Sequence, residues 1–522
     1  MKGKKIFSIC LAGTVIFGAA SCTKEVEETK AEVKIWSAPS YVKVLQDIDY
    51  SAEESYAAYY ENNSFEMFTY KNEYEAGQLI VTPTAEIKEY DIKVSDLTSA
   101  NGDTLSAENM TVYNQKYVSV DKASTGHKNS LIGMMPDALL PFDTAVEYGE
   151  NTVEAKLNQG IVIEIFTPET QAAGVYEGTF TLTADGEEFA VPASVTVWDA
   201  TVSSENHLLT SFLVKQEKVF AAEMDASFEM YEKYYEKLLD YRICATTMPL
   251  HKVKDFDEYL SQLKKYTANE KASTIQFFDC SNSAWTAYDY DVFTEKMVAI
   301  AEESFKDGKN YLKKLVYYLG MIDEPHITKT EDKVDPFLRG FAKARRNAIK
   351  QLQANKESYE ADEALFDEII DKIENFPFIV TATHNDKYDY EKMVEVRRKE
   401  AEEKGLTFVE DPEEEYKITF CPPFDSCHTS AQRANNVWED LGAWWYGCNW
   451  PQNPYPTYHL DDRLLPTRLT SWMQYNYGIV GNLYWAVNDM KDSNAYNVSE
   501  MPENVYEDLA NKNCATNGEG FL

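Results

Sequence analysis

The sequence predicts a multidomain chain: an all-β sandwich over residues 33–200, then a (β/α)8, TIM-type barrel over 201–522. Three observations carry this. The chain is 522 residues long, more than one ordinary core accommodates. Up to about Trp198, short alternating apolar runs are separated by turn residues. After Asn206 the rhythm becomes strand then helix, repeated.

The first 21 residues read as a targeting segment rather than part of the fold. Lys2, Lys4 and Lys5 precede an apolar stretch, 6–17, too short to span a bilayer. Gly18-Ala19-Ala20-Ser21 then supplies small residues before Cys22. The arrangement resembles a bacterial lipoprotein signal, with Cys22 lipidated and 22–32 a polar tether. Ala19 stands where such signals prefer Leu, so plain secretory cleavage remains the alternative. The expected location is exported, lipid-anchored at the bacterial cell surface or envelope.

In the first domain, Ile161, Ile163 and Ile165 alternate with Val162, Glu164 and Phe166, a period of two. Runs 176–183 and 189–197 flank Asp185-Gly186, a hairpin turn signal. Runs 78–82 and 110–113 repeat the pattern. Neither paired acids nor a His cluster gives this part a chemistry of its own. Residues 199–206 read as a polar hinge.

The second domain offers eight strand candidates: 208–214, 243–248, 274–278, 315–322, 378–383, 418–421, 443–447 and 482–487. Helical stripes lie between them, such as Phe228, Tyr231, Tyr235, Leu238 and Leu239. Further helices are expected at 292–305, 337–352 and 464–475. Two charged insertions, 357–375 and 389–405, read as solvated outer structure. No Gly-rich phosphate fingerprint follows the first strand, which weighs against an open dinucleotide-binding sheet.

Composition narrows the partners. A formal net charge of −37 argues against nucleic acid and against adhesion to anionic lipid by surface charge. The chain holds 35 Tyr, 25 Phe and 9 Trp, side chains whose flat apolar faces suit sugar rings. Cys244, Cys280, Cys421, Cys427, Cys448 and Cys514 match no zinc spacing and read mainly as buried thiols. Neither metal nor organic cofactor is called for. The expected partner is a glycan substrate, with no protein partner evident.

The chemistry concentrates at Asp323-Glu324-Pro325, which closes the apolar run Leu315 to Leu319. Acids at the C-terminal end of a barrel strand are where such folds keep their catalysts; the bland alternative is a solvated acidic turn. The other strand ends bring Thr383-His384-Asn385, then Asp425, then Trp444-Trp445-Tyr446, then Tyr484-Trp485 with Asn488. Rings, amides and acids at one rim fit a pyranose pocket, with His384, Trp445, Tyr446, Tyr484, Trp485 and Asn488 as candidate substrate contacts. Strand alternation sends about half of the rings to the helix interface. His326 reads equally as pocket or surface, Trp472 and Met473 as core, and Arg463 and Arg468 as ion-pairing surface residues.

Two carboxyls that cleave a glycosidic bond conventionally stand ~5 Å or ~6.5–9.5 Å apart across it. Adjacent residues approach from one side instead. That suits a 2-acetamido sugar whose own amide attacks the anomeric carbon. One carboxylate then orients the amide, and one acid protonates the leaving oxygen. The conventional alternative pairs Glu324 with Asp425 or Asp489, and a third reading is a surface glycan binder without turnover.

The strand end Asp323-Glu324-Pro325, Ala443-Trp444-Trp445-Tyr446, and the run from Arg463-Leu464-Leu465 through Gly481-Asn482-Leu483-Tyr484-Trp485 resemble glycoside hydrolase family 123, the β-N-acetylgalactosaminidase family. Ala173 to Gly178 and Val195-Thr196-Val197-Trp198 resemble that family's sandwich. The likeness covers roughly 139–489. It implies a retaining, substrate-assisted exo-hydrolase releasing N-acetylgalactosamine. Asp323 would position the acetamido group, Glu324 would be the acid/base, and Trp485, Tyr446 and Asn488 would line the pocket. Such proteins usually continue past a stretch like Gly518-Glu519-Gly520, which points to a truncated form.

Overall fold

The computed structural model describes residues 32–488, except 125, 128, 224, 361, 386, 430–431, 433–441 and 449. The signal segment, Cys22, Asn449, Asp489 and Cys514 lie outside the described residues.

Eleven strands build the N-terminal region: β1 (Val33–Pro39), β2 (Phe65–Lys71), β3 (Glu73–Pro83), β4 (Tyr90–Lys93), β5 (Leu97–Ser99), β6 (Thr104–Leu105), β7 (Met110–Val120), β8 (Gly133–Pro141), β9 (Gln159–Thr167), β10 (Gly174–Ala184) and β11 (Glu187–Thr201). They form two sheets, ordered β1-β3-β9-β7-β8 and β2-β11-β10-β5-β6, with β4 beside β10. Every pairing is antiparallel except β2 with β11. The period-two pattern decides the faces. Ile161, Ile163 and Ile165 of one sheet meet Phe180, Leu182 and Val195 of the other in a single core. The β10–β11 hairpin turns on Asp185 (φ 47°) and Gly186 (φ 81°), the left-handed pair a tight two-residue turn requires. The predicted hinge begins too early: β11 continues to Thr201, held against β2 by the ladder and by a 2.7 Å Lys71–Asp199 ion pair.

The C-terminal region contains seven short parallel strands: β12 (Leu209–Phe212), β13 (Ile275–Gln276), β14 (Leu315–Tyr318), β15 (Phe378–Val380), β16 (Thr419–Phe420), β17 (Trp444–Gly447) and β18 (Gly481–Tyr484). They make two arcs, β12-β18-β17 and β13-β14-β15-β16. A parallel bridge from Pro423 to Tyr446 links the arcs on one side. The predicted strand at 243–248 contributes only one bridge, Ala245 to Phe212. Among the described residues no ladder joins that segment to β13; Ser273 N–H instead meets Cys244 Sγ at 3.2 Å.

The inner faces of both arcs share one cluster: Val316, Ile379, Cys421, Trp444, Tyr446 and Leu483. Their sequence neighbours Tyr317, Phe378, Phe420 and Tyr484 turn outward into the large core formed with the helices. Gly481 permits the tight pairing of β18 with β17, since a Cβ there would lie 2.1 Å from the Trp444 ring. The helices start on side-chain caps that take up free N–H groups: Ser227 before Phe228–Asp240, Asp289 before Tyr290–Asp307, Asp389 before Tyr390–Glu403.

Several expectations change in detail. The strand foreseen over 315–322 stops at Tyr318, and Gly320–Ile322 forms a 3-10 turn. The helix foreseen over 464–475 is two, Leu464–Arg468 and Thr470–Tyr477. Trp472 is not core but 73% exposed, because the short second helix buries Thr470 and Gln474 instead. Arg468 ion-pairs, as read, and its partner is Glu75 on β3. The pair ties the two regions together. Cys244, Cys280, Cys421 and Cys427 are buried free thiols, and Cys448 is half-buried. No helix among the described residues is long and apolar enough to cross a membrane.

Candidate active site

The site is built on the loop after β14. Tyr318 faces the inner cluster, and the chain then tightens through the 3-10 turn, anchored by fully buried Ile322. Asp323 is extended (φ −63°, ψ 132°), whereas Glu324 is left-handed (φ 39°, ψ 58°). That conformation costs a residue with a Cβ about 1–2 kcal/mol. The turn reverses the usual opposition of neighbouring side chains, and Pro325 then starts a short helix where its missing N–H does no harm.

Three hydroxyls hold the two acids. Asp323 Oδ1 accepts from the Tyr318 phenol at 2.7 Å and from the Thr381 hydroxyl at 2.6 Å. Thr381 Oγ1 also accepts the Glu324 backbone N–H at 2.8 Å, so one side chain fixes both residues. The Tyr446 phenol, from β17 in the other arc, donates to Glu324 Oε1. Asp323 is thus tethered to β14 and the end of β15, and Glu324 to β17. Both carboxyls are half-buried. Burial, and then the neighbouring carboxylates, push both phenols well above their usual range, so they remain donors. Burial likewise pushes the Cys421 thiol well above its usual range, which favours the protonated form.

The other predicted residues divide. Tyr446 touches Glu324. Trp485 is half-buried, with its indole N–H unpartnered and Lys215 Nζ 5.7 Å from its ring. Asn488 is committed to structure: its amide accepts from Lys215 N–H at 2.8 Å and donates to Lys215 carbonyl at 2.9 Å, joining the ends of β12 and β18. Trp445 points away from the inner face and packs on Phe424 and Tyr477. Tyr484 is 1% exposed, between Phe212 and Tyr458. His384 lies edge-on to Phe420, with Nε2 3.9 Å from Asp389. His326 is exposed. Asp425 accepts from the Trp450 indole at 2.8 Å.

Sequence reasoning missed three contributors. Tyr318 was legible, since it shares inward parity with Val316 on its strand. Thr381 was not, because a lone Thr beyond a strand carries no signal. Trp285, 60% exposed, lies over the turn before the acids, its ring edge 3.1 Å from where a Gly320 Cβ would stand. Its place on the loop after β13 was the available clue.

Comparisons with known proteins agree with this architecture. Residues 44–184 match the family model described as the Glycoside hydrolase 123 N-terminal domain. No curated protein matches the chain. Among solved structures, a family 123 glycoside hydrolase from Clostridium perfringens aligns over 88% of this chain and 78% of its own, with TM-score 0.52 and 12% identity. A GH10 xylanase with a bacterial Ig-like domain, from termite gut, aligns over 81% of this chain and 91% of its own with TM-score 0.19 and 11% identity. That likeness is too loose to carry argument. The family-model match and the Clostridium perfringens structure converge: the N-terminal sandwich carries the sequence signature of the family 123 N-terminal domain, and the chain shares the fold of a family 123 glycoside hydrolase.

Proposed function

We propose that the chain is an exo-acting glycoside hydrolase that releases terminal β-linked N-acetylgalactosamine by a substrate-assisted, retaining mechanism. One observation carries the reading: each of the consecutive carboxyls is bound by its own hydroxyl donors, so each has its own task. Asp323, with Oδ1 occupied, offers Oδ2 to the acetamido N–H. It turns the amide oxygen toward the anomeric carbon and balances the charge that develops as the ring closes. Glu324, with Oε1 engaged by Tyr446, carries its proton on Oε2 to the leaving oxygen and later takes one from water. Trp285 and Trp485 supply apolar faces for the sugar ring.

The reading includes a closed eight-stranded barrel in which the two arcs are one cylinder. Supporting it are the Pro423–Tyr446 and Ala245–Phe212 bridges, the shared inner cluster, and a hydrogen bond from the Thr274 hydroxyl to the Thr210 carbonyl. The Clostridium perfringens neighbour is described as hydrolysing glycolipid glycans, and a glycan of that kind is the substrate class we favour. Export and anchoring through Cys22 would place the enzyme at the envelope surface. Asp425 is the weaker partner for Glu324, because its carboxylate is engaged by Trp450.

An aryl-glycoside panel tests the function. N-acetylgalactosaminide should be cleaved with retention of anomeric configuration, and plain galactoside should be nearly inert. Glu324→Gln should spare substrates with good leaving groups far more than poor ones, while Asp323→Asn should impair both. Comparable turnover of the plain galactoside would overturn substrate assistance.

A further inference from the structure

A second cluster of reactive side chains lies away from the acids, at the seam between the two regions. His127 comes from the loop between β7 and β8; His459 and Asp462 come from the loop that follows β17. All three side chains are almost fully buried, at 0%, 1% and 2% exposure. Asp462 Oδ2 lies 3.2 Å from His127 Nδ1 and 3.5 Å from His459 Nδ1. Neither approach is aligned as a hydrogen bond. All four imidazole nitrogens and Asp462 Oδ1 lack a hydrogen-bond partner. Five orphaned polar atoms in one buried spot are costly, since each forfeits about 1–3 kcal/mol of solvation.

We propose that His127, His459 and Asp462 form a divalent-metal site, zinc by its chemistry, that staples the sandwich to the C-terminal region. The three donor atoms lie within 4.8 Å of one another. A tetrahedral zinc with bonds of ~2.0–2.2 Å has donor–donor edges of roughly 3.3–3.5 Å, close to the two separations found. Two imidazoles and one carboxylate are a donor set suited to zinc. The fourth position falls to Asp462 Oδ1 or to water.

The surroundings are built to hold these ligands. The Asp462 N–H bonds the His459 carbonyl at 3.2 Å, a turn that puts both side chains on one side. The Thr457 hydroxyl donates to Asp462 Oδ2 at 2.6 Å, orienting the carboxylate as outer-shell partners do at metal sites. Ser124 clamps the adjacent Asp461 through its N–H and hydroxyl, each at 2.7 Å, which registers the His127 loop against the other. Sequence spacing gave no hint of this site, because one ligand is in the first domain and two are in the second.

The test uses the full chain. Elemental analysis of the protein purified without chelator should find one zinc per chain. After chelation, titration with zinc chloride should raise the unfolding midpoint by at least ~4 °C at hundredfold excess over Kd, saturating at one equivalent. Co2+ should give the visible absorption of a tetrahedral nitrogen–oxygen site. Asp462→Asn and, as a milder loop variant, His127→Gln should abolish binding and the midpoint rise. Aryl-glycoside turnover well below the midpoint should survive chelation. Binding that persists unchanged in both variants, or a wild-type midpoint indifferent to zinc, would overturn the proposal. Because turnover and metal binding are read separately, failure of the proposed glycosidase activity would leave this result interpretable.

Discussion

Thr381→Val isolates the hydroxyl that serves both acids. Thr381 is 2% exposed, and valine matches its shape, so packing changes little. Two contacts vanish: the 2.6 Å bond to Asp323 Oδ1 and the 2.8 Å acceptor for the Glu324 N–H. A hydrogen bond to a charged group contributes about 1.5–3 kcal/mol, and an orphaned buried donor costs about 1–3 kcal/mol. Stability should therefore fall by roughly 2.5–6 kcal/mol. Asp323 keeps Tyr318 as a single pivot, so its carboxylate can rotate away from the acetamido group. A loss of transition-state stabilisation of about 1.4–2.7 kcal/mol corresponds to a ~10–100-fold fall in kcat. KM should change less, because the carboxylate matters most when the closing ring gains charge. Initial rates on an aryl N-acetylgalactosaminide, with circular dichroism to verify the fold, read this out. Thr381→Ser should recover most of the rate. A natively folded Thr381→Val with kcat within about twofold of wild type, or a serine variant no better than valine, would refute the two-acid arrangement.

Tyr446→Phe removes the donor to Glu324 Oε1; kcat/KM should drop ~10–100-fold with the sugar specificity unchanged, measured on the same panel. Gly481→Ala should destabilise by about 1–3 kcal/mol in urea unfolding, because its Cβ meets the Trp444 ring at 2.1 Å. Burial lowers Lys43 to about 8 from 10.5, against the pull of Asp462, Asp137 and Asp461. Between these values the unfolded chain keeps a proton that the folded chain has released, so this residue's contribution to stability rises with pH across that window, by at most about 3.4 kcal/mol. Lys43→Met should flatten that slope; equal slopes in wild type and variant would contradict it.

The sequence by itself determined the order of the two regions, the faces of most strands and the pair of acids. Period-two alternation sent Ile161, Ile163 and Ile165 inward because burial on one sheet face leaves a local mark. Asp323 and Glu324 stood out because they follow an apolar run and precede a proline. Tertiary structure decided which aromatic rings reach them. Trp445 and Tyr446 are neighbours of similar chemistry, yet pleating sends one outward and the other to Glu324. Asn488 resembled a sugar-binding amide, but only the meeting of β12 and β18 shows that both its ends are taken by Lys215. Thr381 and the His127–His459–Asp462 cluster left no readable pattern. Their partners are distant in the chain, and a contact between remote residues is written in packing, not in local spacing.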